Sequence, residues 1–378
     1  MRILMLTPYF SPAVGGVENY VKSIAGGLMA RGDEVLIATT TPDAVEAGWQ
    51  TVSLSPGHRI ANSPLSSRWR GEIRSIIDTW KPDVINGHLP VLGLADIGAT
   101  VRGPTPFVLT YHNDVVKTPL VGRLAVGMYR ATLGQHTLSA SRRVIVTSLR
   151  YATQSPPLQP YSARLRVVPP GVDFARFHPA IDGTGIRKAI GGGPIVLFVG
   201  GLSRFQHHKG VDVLLEAVAD LRRTDYPDIK AVVVGGGDGR GALEDAAARL
   251  WPDEPVAHFV GRVSDDDLAS FYAAADVLVL PSQTDAEGYG MVLLEAAACG
   301  TRVVGARVGG VGEAMSLIAG GILADPDSTS IGAGIRTALQ GPGCQLDSSE
   351  CSWTNRADQT RAVFDEVASG AGLMETSP

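Results

Sequence analysis

The sequence predicts two doubly wound α/β domains in one chain, and three features carry that prediction. Short apolar runs alternate with helical patterns along the first half, and the alternation starts afresh along the second. A segment bearing prolines and a glycine, residues 167–179, separates the two series. The 378 residues are too many for one ordinary core and comfortable for two.

Composition narrows the function classes. Hydrophobic residues make up 44% and charged residues 19%, so the chain is globular and not disordered. A net charge of −5 argues against a general nucleic-acid binder. Cys299, Cys344 and Cys351 lack metal-ligand spacing, and their odd number does not suggest a disulfide framework. A reducing cytoplasm is the expectation. Residues 1–6 start a strand at once, so no signal peptide is expected. No apolar run reaches the ~18 residues that span a bilayer. The Ala- and Gly-rich, Arg-favouring composition points to a GC-rich bacterium.

In the first half, strands are expected at 2–6, 34–39, 83–86, 107–110 and 143–147. Ligands of such parallel sheets lie beyond the carboxyl ends of the strands, so the loops there matter most. The first loop carries Gly15 and Gly16 into a helix from about 17 to 31. Two glycines at a helix start permit close approach to an anion, although a lone pair of glycines also suits an ordinary turn. His88 and His112 both fall just after strands. A lone histidine commonly has a structural role, but the position favours His112 as a functional group. Residues 68–74 and 117–130 are basic and partly apolar. They are compatible with weak contact to an anionic membrane, and equally with amphipathic helices packed on a sheet.

The second half repeats the pattern. Strands are expected at 195–199, 231–234, 256–260, 277–280 and 302–304, with helices at 210–222, 242–250, 265–274 and 291–298. After its first strand, Arg204 and Lys209 could neutralise a diphosphate, each charge-assisted bond being worth ~1.5–3 kcal/mol. Gly235-Gly236-Gly237-Asp238-Gly239-Arg240-Gly241 fails the glycine count of a dinucleotide fingerprint and reads as a strand-to-helix turn. Asp265-Asp266-Asp267 follows Ser264, so it reads as the capped first turn of a helix and not as a metal site.

The most informative stretch is the junction at 276–300. A buried strand ends at Leu280, and the composition turns helical from Met291, with Gly300 as the expected stop. The N–H groups of Gly290, Met291 and Val292 at that helix start offer an anion site. Glu287 stands just before it and Glu295 about one and a half turns inside. Carboxylates accept from hydroxyls and do not bind phosphate. Phosphate flanked by hydroxyls describes a sugar nucleotide. Singly, Glu287 reads as a helix-start charge and Glu295 as a solvated face, but the paired spacing outweighs that.

With its surroundings, this glutamate pair resembles the motif of retaining glycosyltransferases of family four, which have the GT-B architecture. The resemblance covers nearly the whole chain, to about Val367. It includes Gly15-Gly16-Val17-Glu18, the segment 167–179, Lys209-Gly210, Gly261-Arg262-Val263 and the Gly309-Gly310 turn ending at Glu313. It implies two Rossmann-like domains facing across a cleft, at 1–180 and 181–352, with a helix over 353–370 packing back on the first. It implies that Gly15 and Gly16 approach the donor diphosphate and that His112 contacts the donor sugar. His88, read from its position after a strand, is the weaker candidate and is expected to help line the acceptor side. Glu287 would bind the sugar and Glu295 the ribose. Gly290, Met291, Val292, Arg204 and Lys209 would hold the diphosphate, and the backbone at Arg262 and Val263 would meet the base. The family's arginine position is occupied here by Gly201, so its role is assigned to Arg204, with His207 or His208 able to share it.

The expected function is a retaining, metal-independent glycosyltransferase. It would move a sugar from a nucleotide-diphosphate donor, a UDP- or GDP-sugar first, to a hydroxyl acceptor, with no cofactor. The acceptor class would be a natural product, a glycolipid or a polysaccharide precursor. Cytoplasmic location, with some contact at the inner face of the membrane, is the corresponding expectation. The rivals are a GT-B sugar-nucleotide epimerase and a non-catalytic sugar-nucleotide binding protein. Neither the base, the sugar, the acceptor nor the oligomeric state is legible in the sequence.

Overall fold

The structure, a computed structural model, describes residues 1–12, 15–42, 48–60, 63–114 and 126–370. The chain forms two compact units, one from residues 1–170 with the segment from 353 onward, the other from residues 171–352. Residues 171–180, expected in the first domain, fall in the second. The reason is packing: Val172 and Phe177 are buried in the second unit's core.

The first unit holds a seven-stranded sheet. Its strands are β1 (Arg2–Leu6), β2 (Glu34–Thr39), β3 (Gln50–Ser53), β4 (Val84–Leu89), β5 (Phe107–Tyr111), β6 (Arg143–Val146) and β7 (Leu165–Val167). They lie in the order β3-β2-β1-β4-β5-β6-β7, all parallel. Along β1, Leu4 and Leu6 enter the core on one face while Ile3 and Met5 enter the core on the other. A strand covered on both faces therefore shows a continuous apolar run. Strand β4 runs to Leu89, beyond the expected end at Asn86, so His88 lies within the strand.

The helix Trp353–Ala368 belongs to the first unit and packs on the helix Gly16–Ala30. A Cβ at Gly27 would lie 2.4 Å from Ala357 Cβ, so a side chain there would collide with it. Asp33 accepts from the Met1 ammonium and from Arg361 Nε, both at 3.0 Å. Glu366 joins Arg143 and Arg166, at 2.6 Å from each. Burial raises the Glu366 pKa, but the two guanidiniums outweigh it and hold the carboxyl below its usual range. Glu366→Ala is expected to lower stability by about 1–2 kcal/mol, measured as a urea midpoint, because two arginines lose their shared acceptor. The loss should shrink as pH falls through the lowered folded pKa, where the carboxylate is protonated in any case.

The amphipathic reading of 68–74 fits the helix Trp69–Trp80, whose Trp69 and Ile73 are fully buried. Most of the second basic segment, residues 115–125, lies outside the described residues, as do Ala13, Val14 and most of the tail. Among the described residues, no helix is long and apolar enough to cross a membrane.

The second unit holds a six-stranded parallel sheet: β8 (Ile195–Val199), β9 (Lys230–Val234), β10 (Ala257–Gly261), β11 (Val277–Leu280), β12 (Arg302–Ala306) and β13 (Ile322–Ala324). The order is β10-β9-β8-β11-β12-β13. The order reverses direction beside β8, and this switch point opens at the carboxyl ends of β8 and β11. The loops leaving β8 and β11 are those that carry Lys209 and Glu287. All three cysteines are buried, and none forms a disulfide.

Candidate functional site

In the second unit, β11 ends at Leu280 and the chain loops through Glu287 to the helix Met291–Ala298. Gly290 caps that helix at φ 89°, ψ 52°, a left-handed conformation that side chains disfavour. Leu293 N–H reaches Gly290 O at 3.0 Å, while helix geometry gives the N–H groups of Met291 and Val292 no acceptor within the helix, which makes the helix start a natural anion site. Lys209 Nζ donates to Glu287 Oε2 at 2.7 Å, and Ser282 Oγ donates to the same oxygen at 2.9 Å. Glu287 is only 7% exposed. Burial raises its pKa; Lys209 and Ser282 more than offset that and hold the carboxyl below its usual range. Glu287 is therefore a fixed negative charge. Its backbone is held as well, since Gly310 N–H donates to Glu287 O at 3.1 Å and Gly309 N–H to Asp285 Oδ1 at 2.7 Å. The Gly309-Gly310 turn thus supports the loop that carries the glutamate.

Glu295 is half-buried on the same helix and accepts from Tyr272 Oη at 2.7 Å. Burial is the largest influence on it and, with Asp265 nearby, raises its pKa against the Tyr272 hydrogen bond. A carboxylate so placed gains from further hydroxyl donors, which favour its charged form.

The loops after β8, β9 and β10 interlock. Leu202 N–H donates to Gly236 O at 3.0 Å, Gly239 N–H to Leu202 O at 2.8 Å, and Gly235 N–H to Gly261 O at 2.8 Å. Arg262 is exposed and Val263 half-buried where the chain leaves β10. Ser264 caps the next helix by accepting from Asp267 N–H, while Asp265 and Asp266 pair with Arg176. Arg204 is exposed on a turn of 3-10 helix, Arg204–Lys209, fixed through its backbone N–H to Asp238 Oδ1 at 2.9 Å. The structure joins Lys209 to Glu287 and leaves Arg204 at the solvent end of that turn. The turn is anchored to the β9 loop through Arg204 N–H and to Glu287 through Lys209 Nζ.

In the first unit, His112 directly follows β5 and is 8% exposed. Its Nε2 lies 3.2 Å from His88 Nδ1, and the rings stack at 5.5 Å with 17° between planes. Tyr20 meets His112 edge-on, 4.8 Å between centroids. His88 is 1% exposed, so it lies inside the unit against His112 and does not line a surface as expected. Gly15 caps the helix Gly16–Ala30 in extended backbone. The Glu18 carboxylate folds over Gly15, 2.3 Å from where a Cβ would stand, while the corresponding place at Gly16 is open.

Three contributing residues carried no assigned role in the sequence: Ser282, Tyr272 and Tyr20. Ser282 had a signal, being the second residue after a strand end at the switch point. Tyr272 and Tyr20 sit on helices as apparent core residues, and nothing local marks their hydroxyls or ring edges.

Comparison with known proteins gives consistent matches. The model of "Glycosyl transferases group 1" matches residues 186–358, and that of "Glycosyltransferase Family 4" matches residues 14–176. A D-inositol 3-phosphate glycosyltransferase of Acidothermus cellulolyticus is 31% identical, over 92% of this chain and 84% of the relative. A GDP-mannose-dependent alpha-(1-6)-phosphatidylinositol monomannoside mannosyltransferase of Mycolicibacterium smegmatis is 29% identical, over 82% of each. The solved structure of Anabaena Alr3699/HepE in complex with UDP and glucose superposes with a TM-score of 0.70 at 20% identity, over 97% of this chain and 95% of that one.

Proposed function

We propose, from the premise that the chain belongs to the group 1 and family 4 glycosyltransferases, that it transfers a sugar with retained configuration and without a metal ion. It is a GT-B glycosyltransferase that uses a nucleotide-sugar donor. The relatives are named as transferases, which favours transfer over epimerisation or simple binding. The observation that carries the reading is the contact of Lys209 and Ser282 with Glu287, on the loop that opens the helix bearing Glu295.

In this reading the N–H groups of Gly290, Met291 and Val292 hold the diphosphate, with Lys209 adding positive charge. Glu295 accepts from the ribose hydroxyls. Glu287 accepts from hydroxyls of the transferred sugar, and its negative charge lies close to where an oxocarbenium-like transition state would develop. His112 contacts the same sugar. The backbone at Arg262 and Val263 receives the base, and Gly16 is the more open of the two first-loop glycines for the diphosphate. Arg204 is the outer cation of the set. Catalysis is mostly electrostatic: the departing diphosphate is stabilised by helix-end donors and Lys209, and the hydroxyl acceptor attacks on the same face. A relative that acts on D-inositol 3-phosphate makes a polyol phosphate the first acceptor class to try.

Calorimetric titration with UDP, GDP, ADP, dTDP and NAD, in a chelating buffer, tests the reading. One nucleoside diphosphate should bind and name the donor base. Binding of NAD alone would sink the proposal. Glu295→Ala should weaken that binding by about 1–2 kcal/mol, as for one lost charge-assisted bond. Tyr272→Phe is the control, because it removes the tyrosine partner and leaves the carboxylate. Unchanged affinity in Glu295→Ala would remove the ribose role.

A further inference from the structure

Resting on the proposed contact of His112 with the transferred sugar, the structure assigns His88 as a positioning residue. We infer that His88 donates Nδ1–H to His112 Nε2, which leaves the His112 proton on Nδ1 and makes His112 a hydrogen-bond donor to a sugar oxygen.

The sheet register builds the pair. His88 in β4 stands opposite Thr110 in β5, and His112 is two residues beyond Thr110, on the same face. His112 N–H also reaches Leu89 O at 3.4 Å. The two rings then stack, with His88 Nδ1 and His112 Nε2 3.2 Å apart. The Tyr20 ring edge closes on His112. Neither imidazole can turn freely.

Both rings are neutral. Burial lowers the His112 pKa to about 3, and burial together with the neighbouring His112 takes His88 well below its ordinary value. A contact between two neutral imidazoles contains one proton, which belongs to one ring or the other. If His112 donated from Nε2, His88 would carry its own proton on Nε2. That atom is fully buried and has no hydrogen-bond partner among the described residues. The arrangement would strand a buried N–H, which folded proteins rarely tolerate. If His88 donates instead, the stranded group is only a lone pair, and the one remaining proton sits on His112 Nδ1, where it is used. The second arrangement is favoured because it leaves no buried donor unmade.

The consequence bears on chemistry and on specificity. With Nε2 engaged and Nδ1 protonated, His112 has no free lone pair and cannot act as a general base. It reads an oxygen on the sugar, and a donor deoxygenated at that position would lose the contact.

Long-range proton–nitrogen spectra of the full chain labelled with ¹⁵N-histidine read the tautomers directly. His112 should be protonated on Nδ1, assigned by the loss of its signals in His112→Asn. Protonation on Nε2 would overturn the inference. Two variants test its effect on transfer. His88→Asn keeps a side-chain N–H near the Nδ1 position, whereas His88→Asp offers only an acceptor and reverses the His112 tautomer. Turnover should be about tenfold lower in His88→Asp than in His88→Asn, the equivalent of one misdirected hydrogen bond, with equal affinity for the nucleoside diphosphate. Equal turnover in the two variants would overturn the positioning role. His112→Ala separates the two levels of the argument. If it leaves transfer unaffected, the sugar contact proposed for His112 fails. If it slows transfer while the two His88 variants match, only the positioning role of His88 fails.

Discussion

Replacing Glu287 by alanine should reduce turnover by about two to three orders of magnitude, the scale seen when one preorganised electrostatic contact to a transition state is removed. Nucleoside diphosphate affinity should change far less, because Glu287 is read as touching the sugar and not the phosphates. The structure sharpens the expectation. Lys209 and Glu287 are bonded to each other, so loss of the carboxylate releases a cation towards the diphosphate. A turnover defect accompanied by unchanged or slightly tighter diphosphate binding is the predicted signature in steady-state kinetics and calorimetry. Equal losses in both would contradict the sugar-side role. Stability should fall as well, by about 1–3 kcal/mol, since Lys209 is half-buried and loses its acceptor. The sign with pH follows from the lowered pKa of Glu287. The stabilising contribution is complete above the ordinary glutamate range and is lost as pH falls through the folded value. Wild type and variant should therefore converge in stability in acid.

Gly235→Ala should destabilise the second unit by about 3–4 kcal/mol, read as a shift in the urea midpoint. Gly235 has φ 145°, which an L side chain rarely adopts, and its added Cβ would stand 1.8 Å from Gly200 O. That atom is backbone and cannot swing aside. The strained conformation accounts for ~1–2 kcal/mol and the collision for ~1–3 more. The same move would push the β8 loop from the β9 loop. Leu202 N–H would lose its place on Gly236 O, and the turn that carries Lys209 would shift with it. Nucleoside diphosphate affinity should drop even at temperatures where the variant stays folded. A variant of wild-type stability would show that these loops adjust, and would remove the geometric case for a preformed donor site.

Much of the fold was legible because both sheets are parallel and covered on both faces. Strands β1, β2, β8 and β11 begin and end at the residues expected for them. The strands of the two large sheets that were not expected, β3, β7 and β13, stand at sheet ends and are only three or four residues long, too short for a clear apolar run. His88 shows the limit at a boundary. Asn86, Gly87 and His88 have poor strand propensity, yet β4 continues through them, because both neighbouring strands supply hydrogen bonds along that stretch.

The sequence by itself determined the two-domain α/β class, the family resemblance and the helix that starts at Met291. Each of these is written in local periodicity or in a run of neighbouring residues. Only the tertiary structure decided the partners: Lys209 and Ser282 on Glu287, Tyr272 on Glu295, Tyr20 and His88 on His112. Lys209 lies 78 positions from Glu287 and Tyr272 23 from Glu295. Contacts over such separations depend on strand order and register, which no local pattern encodes. Arg204, assigned by reading along the chain, is exposed and held through its backbone N–H by Asp238, a partner that likewise only the fold supplies.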